Sequence, residues 1–199
     1  MEIDQLQGQQ RFFVRQRLTM MANKYVVSAA RPDGSEGEVV AFAQQKRMAF
    51  KEQVTLYTDE SKREVLCAFK ARSVMDINAT FDVKAADGNP VGLFRKNFQA
   101  SLLRSTWHLN QPGRPEAIGQ ERSVPVAIIR RLWDFIPGTD LLPFAVPYHF
   151  DFVTGGEPVM SVTKRFGVTD RYVVDVPVEG LDRRLAIAQA VALDALQSR

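Results

Sequence analysis

The sequence has one cysteine and only two histidines in 199 residues. Cys67 cannot form an internal disulfide and has no CxxC neighbour, which argues against a secreted disulfide scaffold and against a thiolate metal site. His149 and Asp151 would share one face of a strand, so a polar pair is possible there, but neither His149 nor His108 has a third ligand or a nucleophile motif beside it. The GxSxG, P-loop and GxGxxG patterns are also absent. We therefore expect a protein that is not an enzyme and that has no metal or cofactor.

Long apolar runs are missing as well. A helix that spans a bilayer needs roughly 20 predominantly apolar residues, whereas the best candidate, Leu185 to Leu193, has nine residues and contains Gln189. The N-terminal stretch MEIDQLQGQQRFF is acidic and polar before Arg11 and has no apolar signal-peptide core. Together with the single cysteine, these absences predict a cytoplasmic protein whose residues 1–10 form a flexible N-terminus.

Net charge is small, at +3. All of it arises in residues 1–100, where fifteen Lys and Arg face twelve Asp and Glu. A dedicated nucleic-acid-binding protein usually has a denser basic stripe, so the composition disfavours nucleic acid as the partner. The asymmetry still permits contact with a polyanion such as anionic lipid.

Residues 11–109 consist of short runs rich in Val, Phe, Thr, Leu and Tyr. Turn chemistry separates these runs at residues 32–34, 58–61 and 87–90. Apolar and polar residues alternate in 54–58 and in 81–84, as expected of strands with one face in a core and one face in water. This spacing predicts successive β-hairpins in a sandwich or a barrel.

An internal repeat supports the barrel. The pattern Thr80-Phe81-Asp82-Val83, then a Gly turn, then Arg95-Lys96-Asn97-Phe98 recurs as His149-Phe150-Asp151-Phe152, a Gly turn and Thr163-Lys164-Arg165-Phe166. A more divergent copy extends from Lys24 to Arg47. A unit of strand, turn, strand and basic pair cannot bury its apolar face alone, so several copies must close on one another.

Residues 110–147 interrupt this rhythm with six prolines and are predicted to form an insertion. Within it, Val124 to Phe135 has the pattern of an amphipathic helix. Arg130, Arg131, Trp133 and Phe135 form the mixture of cations and aromatic residues that suits a membrane interface. The alternative is that the apolar residues plug one end of the barrel or pack on its wall.

The C-terminal residues 181–197 have strong helix propensity. Between Leu185 and Leu193 every helical face is apolar apart from Gln189, so the helix must be buried on nearly all sides. Its alanines keep it thin. A thin helix that is apolar all round and follows a series of β-hairpins is predicted to fill the bore of the barrel.

Four segments carry a family resemblance: Phe13-Val14-Arg15-Gln16-Arg17, Phe42-Ala43-Gln44-Gln45-Lys46-Arg47, Leu56-Tyr57-Thr58-Asp59-Glu60 and Val91-Gly92-Leu93-Phe94-Arg95-Lys96-Asn97-Phe98. They resemble the LURP-one-related group of the tubby C-terminal-like superfamily, which also contains tubby proteins and phospholipid scramblases. The resemblance implies a mainly β fold over residues 11–199, a closed antiparallel β-barrel of about twelve strands around a buried hydrophobic C-terminal α-helix. The chain departs from the group in its long insertion, and no acidic cluster matches a calcium-binding segment of the scramblase kind.

The recurring basic residues are the feature that most suggests a function. They are Lys46, Arg47, Lys70, Arg72, Arg95, Lys96, Lys164 and Arg165. If equivalent strands lie side by side, these residues could gather at one rim and hold phosphate-bearing groups. Basic residues on the barrel strands of tubby relatives bind phosphoinositides, and the resemblance implies a similar use here. The alternative is that they are solvated strand faces that keep the domain soluble.

These observations favour a non-enzymatic monomer that binds anionic lipid at the inner face of the membrane, or an adaptor with a protein partner. A scramblase-like phospholipid transporter is the alternative from another class. A nucleic-acid-binding module ranks third. A carrier for a small apolar ligand ranks fourth, because the helix should fill the bore.

Overall fold

A computed structural model describes residues 1–18, 22–46, 53–72, 79–97, 105–122, 149–165 and 171–197 of the chain. These residues form two helices and twelve strands. In chain order they are α1 (Ile3–Gln7), β1 (Arg11–Leu18), β2 (Ala22–Ala30), β3 (Glu36–Lys46), β4 (Val54–Tyr57), β5 (Val65–Ala71), β6 (Thr80–Ala85), β7 (Pro90–Asn97), β8 (Thr106–Asn110), β9 (Ala117–Glu121), β10 (His149–Thr154), β11 (Glu157–Arg165), β12 (Arg171–Asp175) and α2 (Arg183–Gln197).

The twelve strands form one closed barrel. Each strand pairs antiparallel with its neighbours in the chain, and β12 pairs with β1 to close the sheet. Closure leaves no strand with an unpaired edge. The predicted closed antiparallel barrel is therefore confirmed. Because neighbouring strands are antiparallel, all odd-numbered strands end at the same end of the barrel, which we call the upper end; the opposite end is the lower end.

The predicted repeat corresponds to the hairpins β6–β7 and β10–β11. Both turns contain a glycine with positive φ, Gly88 at 86° and Gly156 at 92°, a conformation that L side chains rarely adopt. The strand register shifts at the equivalent place in both hairpins, after Val83 and after Phe152. The two copies thus share their pairing as well as their sequence, and the divergent third copy is the hairpin β2–β3.

Helix α2 packs inside the barrel, as the sequence predicted. Residues from Leu185 to Leu193 are all buried, including the polar Gln189. Strand β7 meets the helix at Gly92, where a Cβ atom would lie only 2.7 Å from the Leu185 side chain. The alanines of the helix and this glycine let strand and helix approach closely enough to leave no channel between them.

The lower end is closed by Arg183, the first residue of α2. Its buried guanidinium donates hydrogen bonds to the carbonyl oxygens of Gln9 at 2.5 Å and Leu181 at 2.6 Å. Burial lowers the pKa of this guanidinium. Asp182 caps the helix, since its Oδ1 accepts the backbone N–H of Arg184 at 2.9 Å. These bonds fix where the helix enters the barrel.

The N-terminal residues 1–10, which the sequence predicts to be flexible, contain a short helix. Residues Ile3–Gln7 form α1, and Leu6 is buried in the core at 2% exposure. The Gln7 side chain donates to Asp182 and accepts from the backbone N–H of Arg183, each at 3.0 Å. The Leu6 side chain and the Gln7 amide thus attach the segment to the lower end. Two residues are too few to be recognised as a pattern in the sequence.

The predicted insertion over residues 110–147 is also corrected in part. Residues 111–116 form the turn of a hairpin, and Ala117–Glu121 form β9, which belongs to the barrel. Pro112 and Pro115 lie in the turn before this strand, where they cost no ladder hydrogen bond. The amphipathic helix predicted from Val124 to Phe135 lies outside the described residues.

We predict that Ile187→Asp unfolds the domain. The Ile187 side chain is fully buried inside the barrel, and an unpaired charge there costs several kcal/mol against a total stability of about 5–15 kcal/mol. Ile187→Val is the control, with an expected loss of about 1 kcal/mol. Denaturant titration followed by circular dichroism measures both. An aspartate variant as stable as the valine variant would contradict burial of α2.

A second prediction concerns the thiol of Cys67, which is fully buried with its Sγ 4.0 Å from the Arg184 carbonyl oxygen. Burial raises its pKa to about 12. At pH 8 the folded protein should therefore react with Ellman's reagent roughly 1,000-fold more slowly than the guanidinium-unfolded chain, whose thiol has a pKa of about 8.5. Similar rates in the two states would show that β5 opens readily.

Candidate functional site

The structure places the predicted basic residues at the upper end of the barrel. Lys46, Lys70, Arg95, Lys96, Lys164 and Arg165 lie in the last residues of β3, β5, β7 and β11, and Arg72 directly follows β5. Arg47 and the side chain of Lys46 lie outside the described part of the chain, as do Arg130, Arg131, Trp133 and Phe135. The common position follows from the topology, because the basic residues come at the end of odd-numbered strands.

Neighbouring members of a pair point to opposite faces of the sheet. Lys96 faces the bore, with its Nζ 5.8 Å from the ring centre of buried Trp107. Lys164 does the same, with its Nζ 5.7 Å from the ring centre of buried Tyr172. Side chains alternate along a strand, so the adjacent pairs Arg95–Lys96 and Lys164–Arg165 each supply one cation to the bore and one to the outer surface. By the same alternation, Lys70 and Arg72 lie two residues apart on one face.

Arg72 is already neutralised. Its guanidinium donates two hydrogen bonds to Asp82, at 2.7 and 2.8 Å, and this contact raises its pKa. Arg122 makes the same fork to Asp151, at 2.6 and 2.7 Å. A bidentate ion pair leaves an arginine with little charge to offer a ligand. The outer lysine Lys70 has no ion pair with another described residue.

Neither histidine joins a chemical site. The Asp151 carboxylate accepts both hydrogen bonds of the Arg122 fork, and burial lowers the pKa of His149. The other histidine, His108, contacts Glu116, with its Nδ1 3.0 Å from the carboxylate. Within the described ranges, no three His, Cys, Asp or Glu side chains are grouped so that they could hold a metal ion.

An outward-facing row of three arginines was missed by the sequence analysis. Arg165 of β11 lies directly opposite Arg171 of β12, which in turn lies opposite Arg15 of β1. Only Arg165 had been assigned to a site. The row exists because β12 closes the barrel between β11 and β1, a pairing that no local pattern reveals. In the next row, Arg17 of β1 lies opposite Lys24 of β2.

Charge is unevenly distributed along the barrel axis. Among described side chains outside the β4–β5 turn, eleven cations and four carboxylates belong to the upper end, whereas six cations and eleven carboxylates belong to the lower end. The β4–β5 turn folds over β3, and its Glu60 pairs with the upper-end Arg17 at 3.3 Å. The upper cations are Arg15, Arg17, Lys24, Lys70, Arg72, Arg95, Lys96, Arg122, Lys164, Arg165 and Arg171. The upper carboxylates are Asp82, Glu121, Asp151 and Asp194.

Two of those carboxylates are inside the bore. Glu121 and Asp194 have exposures of 0% and 1%. Asp194, near the end of α2, accepts a hydrogen bond from the hydroxyl of Tyr172. Burial, and then the charge of Asp194, raise the pKa of Tyr25, which accepts a hydrogen bond from Gln16 at 3.3 Å. These groups anchor the helix end, and their charges lie beneath the surface that a large partner would touch.

None of the described helices is both long and apolar enough to span a bilayer. A search of curated proteins finds no match to the chain. The model of one protein family, described as LURP-one-related, matches residues 39–194, which covers β3 to α2 and most of the barrel. The chain therefore belongs to the LURP-one-related family.

Proposed function

We propose that this LURP-one-related barrel binds anionic membrane surfaces through its upper end, without catalysis. The observation that carries the proposal is the excess of cations over carboxylates at that end. A basic residue near an anionic membrane contributes about 1 kcal/mol to binding, so several acting together give useful affinity. The net charge of only +3 would not do so if it were spread evenly.

The orientation of the charges supports a membrane as the partner. Cations come from β1, β2, β5, β7, β11 and β12, so they surround the end of the barrel instead of lining one groove. A ring of this kind suits a broad, flat anionic surface, whereas nucleic-acid readers usually concentrate their cations in a stripe. The carboxylates of the lower end would be repelled by the same surface and would orient the domain.

The segment between β9 and β10 is consistent with this arrangement. Strand β9 ends and strand β10 begins at the upper end, and residues 123–148 are the part of the chain between them. Their sequence contains Trp133 and Phe135 beside Arg130 and Arg131. Aromatic and basic residues together favour the membrane interface. We propose binding in preference to scramblase-like transport, because α2 fills the bore of the barrel.

Reversing two upper-end lysines, Lys24→Glu with Lys70→Glu, should weaken binding to vesicles that contain phosphatidylserine. The loss should be roughly 30-fold or more at low salt, from about 1 kcal/mol for each cation removed. The unmutated protein should bind these vesicles less well as salt rises, because screening shortens the range of the attraction. Vesicle co-sedimentation measures both effects.

The matched control is Arg31→Glu with Lys84→Glu, which changes net charge equally but at the lower end. Equal losses in the two double variants would mean that net charge alone, and not the upper end, governs binding. Absence of binding by the unmutated protein would end the membrane proposal. Preference for duplex DNA over vesicles at equal phosphate concentration would indicate that the upper end binds nucleic acid instead.

A further inference from the structure

The row formed by Arg15, Arg165 and Arg171 places like charges directly opposite one another, which attraction to a membrane by net charge does not require. Directly opposed like charges on neighbouring strands destabilise a sheet. Here two such oppositions follow one another across β11, β12 and β1. Adjacent strands lie about 5 Å apart, so three guanidinium groups occupy a row about 10 Å long.

Few of the described side chains compensate this charge. Arg165 and Arg171 are exposed and make no ion pair with a described residue, while Arg15 pairs with Glu36. The adjacent row on the same face is neutral, consisting of Thr163, Val173 and Phe13. Among the described residues, the row therefore has two guanidinium groups without an ion pair beside a third that has one.

We propose that Arg15, Arg165 and Arg171 form a binding site for a phosphate monoester. A guanidinium group donates paired hydrogen bonds that match the oxygens of a phosphate. A monoester at neutral pH carries a charge of about −1.5 to −2, which Arg165 and Arg171 together can balance. Arg15 uses one of its terminal nitrogens on Glu36, so it contributes its remaining N–H donors and only part of its charge. A phosphodiester has one charge and fewer free oxygens, so it satisfies the row less well.

This inference rests on the proposed function for its setting at a membrane. It deepens that function by naming the headgroup that is recognised. The same chemistry is present in phosphatidate, a lipid, and in free inorganic phosphate. Because the site lies on the outer face of three strands, a soluble ligand can reach it without a membrane. The two sources can therefore be tested separately.

The experiment titrates the full chain with inorganic phosphate against chloride at equal ionic strength, and follows the arginine side-chain N–H signals by NMR. Phosphate should shift the signals of the three row arginines and raise the melting temperature, and chloride should do neither. Arg165→Ala with Arg171→Ala should lower phosphate affinity at least tenfold. Arg31→Ala with Lys84→Ala should leave it unchanged. Arg171→Lys, which keeps the charge but loses the fork, should give an intermediate affinity.

A second arm compares vesicles that contain phosphatidate with vesicles that contain phosphatidylserine at matched surface charge. Preference for phosphatidate, lost in the double-alanine variant, supports the site on a lipid headgroup. Phosphate binding without any vesicle binding keeps the site and removes the membrane function. Phosphatidylserine binding with no response of the row to phosphate keeps the membrane function and overturns the site.

Removal of the row also tests the opposed charges directly. If Arg165 and Arg171 repel one another, the double-alanine variant without phosphate should melt at or above the temperature of the unmutated protein. It should also gain no stability from phosphate. A variant that melts lower but responds to phosphate as the unmutated protein does would show that the arginines serve the fold and not a ligand.

Discussion

Burial of α2 inside the closed sheet is the constraint on which the rest of the structure depends. The helix residues form one buried core with the inward-facing residues of the strands, and the helix is held at both ends by polar groups. Arg183 bonds to backbone carbonyls at the lower end, and Asp194 accepts from Tyr172 at the upper end. Together these contacts fix the direction of the helix relative to the strands, and so they distinguish one end of the barrel from the other.

The same constraint decides how the basic pairs are used. The bore is occupied by an apolar helix. A basic side chain can therefore point inward only if it lies over an aromatic ring or reaches the rim. Lys96 and Lys164 satisfy this through Trp107 and Tyr172. Their chain neighbours Arg95 and Arg165 are then directed outward by strand alternation. The alternation of side chains along a strand therefore gives each of these two pairs one lysine that packs in the bore and one arginine that is available to solvent.

Much of the fold follows from local sequence features, and the candidate site does not. The repeated hairpins and the buried helix were predicted because turn residues, alternation and an all-round apolar helix are local signals. The closed barrel was predicted from the internal repeat and from the family resemblance. The contact of Leu6 with the core and the strand β9 were missed, since a single apolar residue or a five-residue strand among prolines is too weak a pattern. The arginine row was missed for another reason: Arg15 and Arg171 are brought together by the closing pair β1–β12, and register between the first and last strands cannot be read from either.

A chain with almost no net charge can present a strong local field if its carboxylates are placed where they do not compensate its cations. Of the four upper-end carboxylates, Glu121 and Asp194 are withdrawn into the bore, and Asp82 and Asp151 are each consumed by one arginine. Of the remaining outer cations, Arg15 pairs with Glu36 and Arg17 with Glu60, whereas Arg165 and Arg171 make no ion pair with a described residue. Most of the other described carboxylates lie at the lower end. Opposed arginines cost stability in an isolated barrel. The opposition of Arg165, Arg171 and Arg15 is expected, despite this cost, if an external anion normally supplies the compensating negative charge.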